Sequence, residues 1–379
     1  MKQYKYKING NLYSVTVNDI EDNVAHVEVN GTPYNVELDK PIKTAPKPIT
    51  RPAAAPKTAT GAPVVTRQAS AKSGGIKSPL PGVILNILVK EGDMVKKGDL
   101  LFEIDHAPYL ADYNMALANV NAAKVATNKV INAFRNNMVS DFYLKPTTGY
   151  AYSDVGREKL DLIYAELFHT EAALVRSQFV SGTHALAVAL LGNLRAGNEL
   201  IAVTGAPYDT MQTIIGYPVK MEGSLVDMGV TYKEIPMSGD HADLEAIKAA
   251  VTEKTTMIHI QRSCGYSAVR KTITVEEIGR ICKVAKEANP NVICFVDNCY
   301  GEFIEKQEPT EVGADLMAGS LIKNLGGGFA PTGGYIVGRE DLVEKASYRL
   351  TAPGLGGEMG ATLGDTAREF YQGLFMAPH

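Results

Sequence analysis

Two ionisable side chains in the second half of the sequence stand at the ends of apolar runs. Asp297 directly follows the run at 292–296. Lys323 directly follows the run at 316–322 and precedes the glycines at 326–328. Apolar runs of this length are typical of strands that are buried on both faces. Because ligands of open α/β sheets bind beyond the carboxyl ends of the strands, we expect both side chains at one edge of a sheet.

A carboxylate and a lysine in these positions are the groups that a pyridoxal phosphate (PLP) enzyme requires. The lysine amine forms an imine with the cofactor aldehyde, and the carboxylate keeps the pyridine nitrogen protonated so that the ring accepts electrons. Because only a neutral amine attacks the aldehyde, we expect desolvation and nearby cationic charge to lower the pKa of Lys323. A buried ion pair followed by a glycine turn is the alternative, and this stretch alone leaves both interpretations open.

A turn of small residues upstream has the form of a phosphate site. Ser181, Gly182 and Thr183 lie between a predicted strand at 173–180 and a predicted helix at 185–194. Free backbone N–H groups and the positive end of the helix dipole favour a phosphate at such a turn. Many turns of this kind bind no ligand, so the turn is a weak signal by itself.

Tyr208 follows a predicted strand at 200–204 and is able to stack on a planar ring. A tyrosine buried in the core is the alternative, and it is the favoured interpretation for an isolated tyrosine. His184 and His259 are similarly ambiguous, because single histidines near strand ends act as acids or bases but are more often structural. The order of the signals along the chain (phosphate turn, aromatic ring, acid, lysine) is therefore more informative than any one of them.

From about residue 127 onward, predicted helices and strands alternate, which indicates an α/β fold with a doubly wound, mainly parallel sheet. Helices are predicted at 155–168, 240–251 and 274–288. At the start of the last helix, Thr274 and Glu277 have the spacing of a capping box.

The composition is that of an ordinary globular protein, with 45% hydrophobic and 21% charged residues among 379. The net charge of −4 gives no reason to expect nucleic acid or an acidic membrane surface as a partner. No run approaches the roughly 20 apolar residues of a membrane span, and no signal peptide is recognisable, so we expect a cytoplasmic protein. The cysteines lack a zinc-binding spacing, so no metal is expected, and they are predicted to be reduced and mostly buried: Cys264, Cys282, Cys294 and Cys299.

The first third of the sequence has a different character. Residues 1–40 alternate apolar and polar side chains between Asn-Gly turns, which predicts a small β-meander. Residues 41–75 contain six prolines and no acidic residue, a composition typical of an extended, solvated linker.

Residues 76–105 resemble half of a biotinyl/lipoyl carrier domain, like that of biotin carboxyl carrier subunits. The resemblance lies in the short segments SPLPG, VKEGD and KGD, which precede an apolar strand. Such carriers place a modified lysine within Ala-Met-Lys-Met after this strand, but His106 stands there instead, so biotin is not expected. Residues 106–126 are predicted to form a connecting helix. The alternative function implied by this module is a carrier or adaptor protein without catalytic activity.

Residues 127–379 resemble the methionine gamma-lyase and cystathionine lyase-like proteins that are also labelled aluminium resistance proteins. The resemblance lies in three stretches, VRSQFVSGTHALAVALLGNLRAGNEL, FVDNCYGEF and AGSLIKNLGGGFAPTGGYIVG. It implies the fold-type I architecture of PLP enzymes, with PLP as cofactor. The implied reaction is the elimination of a thiol from a sulfur-containing amino acid, by imine formation and abstraction of the α-proton.

The same resemblance implies roles for individual residues. Lys323 would bind the cofactor and later move the α-proton, and Asp297 would pair with the pyridine nitrogen. Tyr208 would stack on the ring and count with Lys323 as catalytic. Four residues would hold the phosphate: Ser181, Gly182, Thr183 and Ser320.

Two further residues, Tyr152 and Arg157, would reach the phosphate of a neighbouring subunit in a homodimer or homotetramer. A solvated helix arginine is the alternative for Arg157. Family members continue with a small C-terminal domain whose arginine grips the substrate carboxylate. This sequence stops at His379, so we expect a C-terminally truncated lyase domain that binds PLP but turns over substrate poorly. A PLP-binding fold without activity is a further alternative.

Overall fold

The computed structural model describes the following residues: 2–8, 11–21, 24–30, 32–37, 82–263, 265 and 270–378. The chain divides into two compact units between Pro79 and Leu80. The predicted linker at 41–75 lies outside the described residues, as do Cys264 and the start of the carrier-like stretch at 76–81.

The first unit contains a four-stranded antiparallel sheet. Its strands are β1 (Lys2–Ile8), β2 (Asn11–Glu21), β3 (Val24–Val29) and β4 (Thr32–Glu37). Each strand pairs with the next one in the chain. Alternation of apolar and polar residues is typical of strands in such a sheet, because successive side chains point to opposite faces.

The second unit begins with a short hairpin and a long helix. Strands β5 (Ile84–Ile87) and β6 (Phe102–Ile104) pair in antiparallel orientation, and helix α1 (Ala107–Asn136) follows directly. The helix runs well past the predicted end at 126. Its buried positions recur every three or four residues, so the same helical face continues into the core of this unit: Ala122, Ala126, Val130 and Ala133.

A seven-stranded sheet lies at the centre of the second unit. Its strands are β7 (Ala172–Arg176), β8 (Glu199–Ala202), β9 (Thr231–Glu234), β10 (Thr255–Gln261), β11 (Ile293–Asp297), β12 (Leu316–Ser320) and β13 (Gly334–Gly338). Their spatial order is β7-β13-β12-β11-β10-β8-β9. Within this sheet, β13 runs against its neighbours and the other six strands are parallel. The predicted mainly parallel sheet is confirmed, and its one antiparallel strand was not predicted.

Helices pack on both faces of this sheet. They are α2 (Val155–Leu167), α3 (Gly182–Asn193), α4 (Asp209–Ile215), α5 (Leu244–Ala250), α6 (Val275–Ala288), α7 (Glu340–Leu350) and α8 (Thr366–Met376). On β10, Met257 is buried with α3, α4 and α7, whereas Ile258 and Ile260 are buried with α2, α6 and α8. Because successive strand residues point to opposite faces, an apolar strand needs a helical layer on each side.

Side chains cap several helix starts. Asp154, Ser181 and Thr274 each accept a backbone N–H from the first turn of α2, α3 and α6, respectively. The predicted capping box of α6 is half present, since Glu277 accepts the N–H of Ala242 (2.7 Å) instead of reaching back to Thr274. A hydrogen bond to a distant part of the chain therefore replaces the second bond of the capping box.

Three cysteines fall within the described residues, and all are free and buried: Cys282, Cys294 and Cys299. None of the helices described is both long and apolar enough to cross a membrane. In the same part of the chain, no three His, Cys, Asp or Glu side chains gather in a way that could hold a metal ion.

Candidate active site

The carboxyl ends of the parallel strands meet at one edge of the seven-stranded sheet. Asp297, the last residue of β11, lies opposite Gln261 at the end of β10 and opposite Ala318 on β12. Ser320 ends β12. Lys323 follows in the loop that leaves this edge, directly before a short 3-10 turn. The acid and the lysine singled out in the sequence therefore belong to neighbouring strand ends.

Asp297 is 3% exposed, and its Oδ1 accepts the backbone N–H of Cys299 (3.1 Å). Burial raises the pKa of Asp297, whereas this hydrogen bond and the charges of Lys323 and Arg270 lower it, with a net increase. A buried carboxylate is costly unless a cation or a hydrogen-bond donor accompanies it. Asp297 is therefore suited to a cationic partner at the sheet edge.

The amine of Lys323 lies against Tyr300, with its Nζ atom 3.9 Å from the ring centroid. Burial lowers the pKa of Lys323. The neighbouring Cys299, Tyr300 and Asp297 raise it by more, so the net shift is upward. The lowered pKa expected from the sequence is therefore wrong for this structure. The expectation assumed cationic neighbours, whereas the lysine faces acidic groups.

Tyr208 links the end of β10 to the start of α3. Its backbone N–H donates to Oε1 of Gln261 (2.9 Å), and its hydroxyl lies 3.0 Å from Oγ1 of Thr183. Burial raises the pKa of Tyr208, and the charges of Asp297 and Cys299 add to the increase. The phenol is therefore neutral, and the charge of Asp297 reaches it.

The start of α3 approaches the end of β12 closely. Ser181 caps the helix by accepting the N–H of His184 (3.1 Å). A Cβ added at Gly182 would lie 2.6 Å from Cβ of Ser320, so only glycine allows this approach. The hydroxyl of Ser320 is buried and has no hydrogen-bond partner among the described residues. Since a buried hydroxyl without a partner is costly, this pair of residues suits an external acceptor such as a phosphate.

Tyr152 and Arg157 make their contacts elsewhere. Arg157 is 4% exposed, and its guanidinium donates to the carbonyl oxygens of Ala151 (3.1 Å), Glu358 (2.8 Å) and Gly360 (2.9 Å). The exposed ring of Tyr152 packs near that of Tyr150, whose centroid is 5.9 Å away. Within the described chain, neither side chain forms a hydrogen bond or a ring contact with the group around Lys323. The alternative of a solvated helix arginine is wrong for Arg157, because carbonyl oxygens surround its guanidinium.

The two histidines considered from the sequence have structural surroundings. Nδ1 of His184 accepts the N–H of Val180 (3.2 Å), and burial lowers the pKa of this imidazole. His259 is fully buried on β10, packs near Phe295, and has its pKa lowered to about 4, by burial first and then by Arg270. Both imidazoles are therefore neutral at pH 7.

Sequence reasoning missed three side chains at this edge of the sheet. Cys299 was predicted only to be a reduced, buried thiol, yet its backbone N–H donates to Asp297 and its side chain raises the pKa of Lys323. Tyr300 and Gln261 were not considered at all. The available signal was position: Cys299 and Tyr300 follow Asp297 within one turn, and Gln261 ends the strand next to it.

A buried polar network supports the turn after Asp297. Arg262 is 1% exposed and donates to Oδ1 of Asn298 (2.8 Å) and to the carbonyl oxygen of Gly301 (2.6 Å). Glu308 accepts the backbone N–H of Phe303 (2.8 Å). Glu302 accepts the hydroxyl of Tyr335 (2.7 Å), a residue of β13. These bonds anchor both ends of the turn that carries Cys299 and Tyr300.

Known proteins resemble this chain in sequence and in structure. The sequence model described as methionine gamma-lyase matches residues 112–379. Protein YnbB of Bacillus subtilis (strain 168) is 51% identical over 253 residues, which are 66% of this chain and 60% of that protein. L-methionine gamma-lyase of Pseudomonas putida is 28% identical over 219 residues, 57% of this chain and 48% of that enzyme.

A solved structure described as a carbon–sulfur lyase involved in aluminum resistance, from Clostridium novyi NT, superposes with a TM-score of 0.68. It is 46% identical in sequence, and the match covers 72% of this chain and 66% of that one. The chain spans 60% and 48% of the length of the two curated relatives named above. The matched region contains the whole seven-stranded sheet and every candidate site residue, and the chain belongs to the methionine gamma-lyase family.

Proposed function

We propose that this chain carries the cofactor-binding part of a PLP-dependent carbon–sulfur lyase, which eliminates a thiol from a sulfur-containing amino acid. The observation that carries the proposal is that Asp297 ends β11 and Lys323 follows the neighbouring strand β12 at the same sheet edge, where Tyr208 bonds to Gln261. Family membership and the likeness to the Clostridium novyi lyase support the same class of reaction. We further infer a homodimer or homotetramer, as the family resemblance implies.

The residues at this edge fit PLP. The buried Ser320 hydroxyl and the backbone N–H groups at the start of α3, which packs against Ser320 at Gly182, suit its phosphate, together with Ser181 and Thr183. Asp297 suits the pyridine nitrogen, because a buried carboxylate stabilises a protonated partner. The ring of Tyr208 suits stacking.

PLP, when bound, supplies an electron sink for the negative charge that develops at the substrate Cα. The side chains of the protein do the rest. Nζ of Lys323 would hold the cofactor and, once the substrate amine has taken its place there, would be free to accept the proton from Cα. Asp297 would keep the pyridine nitrogen protonated. A cationic partner for Asp297 also weakens the attraction between this carboxylate and the ammonium form of Lys323. The amine of Lys323 then acts more readily as a base.

Visible absorption tests the cofactor assignment. The protein mixed with PLP is expected to develop a band near roughly 420 nm, which reports a covalent link between the cofactor and a lysine. Lys323→Ala should abolish this band. Lys283→Ala removes an exposed lysine from α6 and should leave the band unchanged. An undiminished band in Lys323→Ala would refute the assignment of Lys323.

Thiol release tests the reaction itself. The PLP-loaded protein is expected to release hydrogen sulfide from cysteine or a thiol from cystathionine or methionine, and Lys323→Ala is expected to release neither. A protein with the absorption band but no thiol release from any of them would be a PLP-binding fold without lyase activity.

Gly182→Ala is expected to weaken PLP binding about tenfold, equivalent to about 1.4 kcal/mol. The added methyl group would lie 2.6 Å from Cβ of Ser320 and would push this side chain away from the helix start. Titration with PLP, followed by the visible band, measures the dissociation constant. Gly197→Ala is the control: a Cβ there meets no atom within 4 Å, so its cost is limited to the left-handed backbone (φ +86°). Equal dissociation constants for the two variants would contradict a phosphate at this helix start.

Tyr152 and Arg157 are proposed, through the family resemblance, to serve the phosphate of a neighbouring subunit. Tyr152 is exposed and free to do so. Arg157 would have to exchange its bonds to the carbonyl oxygens of Glu358 and Gly360. A reduced PLP affinity in Tyr152→Phe would support the proposal for the tyrosine, and unchanged affinity would count against it.

The carrier or adaptor function is the weaker candidate, and the carrier-like nature of residues 76–105 stays a prediction. His106 stands at the N-terminal cap of α1 and directly follows the hairpin of β5 and β6. A carrier needs a nucleophilic lysine at this point, so blotting for biotin is expected to give no signal. A clear biotin signal would overturn this interpretation.

A further inference from the structure

Tyr300 contacts the reactive lysine, yet the proposed chemistry assigns it no role. The 3.9 Å between Nζ of Lys323 and the ring centroid is well within the roughly 6 Å range of cation–π contacts. Tyr300 is 56% exposed, whereas Cys299, the other neighbour of the amine, is 5% exposed. The lysine amine therefore lies against an aromatic ring that faces solvent, while the buried Cys299 acts on it electrostatically.

The backbone holds Tyr300 in an unfavourable conformation. Its φ is +68°, in the left-handed region that bulky side chains rarely adopt. Arg262 donates hydrogen bonds to Asn298, two residues before Tyr300, and to Gly301, the residue after it. A Cβ on Gly301 would lie 2.6 Å from Nη1 of Arg262. A buried cation therefore clamps this turn. Strained backbone that the surroundings enforce is most often found at functional sites.

We propose that Tyr300 is a positioning residue that holds the ammonium form of Lys323 against its ring and thereby limits how readily the amine captures an aldehyde cofactor. The face of an aromatic ring is electronegative and attracts an ammonium group but not a neutral amine. The inference rests on the proposed function for the identity of the aldehyde.

Other charged groups face the same amine. They are Asp297 at the end of β11 and Cys299 in the following turn. The charge of Arg270 in turn lowers the pKa of Asp297. Burial lowers the pKa of Lys323, and these acidic neighbours raise it. Removal of the ring alone should therefore shift the titration of the lysine without abolishing it.

Two variants separate the ring from its hydroxyl. Tyr300→Leu removes the aromatic face, and Tyr300→Phe keeps it. Competitive acetylation of the PLP-free protein across a range of pH, read by mass spectrometry of the Lys323 peptide, gives the pKa of the amine. We expect a value roughly one unit lower in Tyr300→Leu than in the wild type, with Tyr300→Phe unchanged. PLP capture at pH 7, trapped with borohydride, should be about tenfold faster in Tyr300→Leu.

The outcomes distinguish this inference from the proposed function. Equal pKa values in the wild type and Tyr300→Leu would overturn the role of Tyr300. A shift in Tyr300→Phe as large as in Tyr300→Leu would overturn it too, because the hydroxyl would then be responsible. A lowered pKa in Tyr300→Leu alone, without PLP capture by any variant, would support the contact between ring and lysine and refute the proposed cofactor chemistry.

Discussion

Gly326→Ala is expected to destabilise the protein by about 3 kcal/mol, the upper end of the usual cost of overpacking. A Cβ at this position would overlap the carbonyl oxygen of Leu321 and lie 2.8 Å from Cβ of Ala330. The overlapped atom belongs to the backbone just beyond β12, so no side-chain rotation relieves the clash. The N–H of Gly326 also donates to the carbonyl oxygen of Lys323 (3.2 Å). Relief of the clash would therefore displace the lysine, and we expect PLP capture to be lost as well.

Gly328→Ala is the matched control, two positions further along the same glycine run. Its φ is +79°, but a Cβ there meets no atom within 4 Å. The cost should be limited to the left-handed backbone, about 1 kcal/mol. Urea denaturation of both variants and of the wild type measures the difference. Equal urea midpoints for the two variants would show that the loop after Lys323 shifts at little cost. That result would contradict the tight packing around Gly326.

Glu302→Gln is expected to remove a large part of the pH dependence of stability. Burial raises the pKa of Glu302 from 4.5 to about 8, although the hydroxyl of Tyr335 opposes the shift by donating to the carboxylate. Between these two pH values, the folded state keeps a proton that the unfolded chain has released. The free energy of unfolding therefore falls as the pH rises through this window, by on the order of 5 kcal/mol in total.

The glutamine variant keeps an acceptor for Tyr335 but has no proton to lose. Its stability should exceed that of the wild type at pH 9 and approach it at low pH, with the difference growing between about pH 4.5 and pH 8. Glu308, whose pKa burial raises to about 7, leaves a residual slope in both proteins. Thermal melts from pH 5 to pH 9 measure the effect, with Glu253→Gln as an exposed control. Parallel curves for Glu302→Gln and the wild type would show that Glu302 is ionised in the folded state.

Much of the sheet edge was predictable because the relevant signals are local. The apolar run before Asp297 marks a buried strand, and β11 ends at Asp297 as expected. The run before Lys323 was read as one strand, whereas β12 ends at Ser320 and leaves the lysine in a loop. The direction of β13 has no local signature, because a short apolar run reads the same in both directions and only its pairing with β12 and β7 decides it.

The surroundings of the lysine were not predictable for a different reason. The contact between Tyr300 and Lys323 depends on a left-handed residue within a turn that Arg262 clamps from another strand end. Neither local pattern nor composition encodes such a contact. The direction of the Lys323 pKa shift was wrong for the same reason, since it depends on Cys299 and Tyr300 lying beside the amine.

The position of β13 affects the order in which the strands of the seven-stranded sheet can pair during synthesis. β7 is the first strand of the seven-stranded sheet to leave the ribosome, and within the described chain it pairs with β13 alone. Arg176 pairs with Gly334, a partner synthesised roughly 160 residues later. Until then, the backbone groups of β7 have no strand to bond to, which is the condition that invites pairing with other chains. The loop that carries Lys323 joins β12 to β13, so the candidate site is completed in the same late step that closes the sheet.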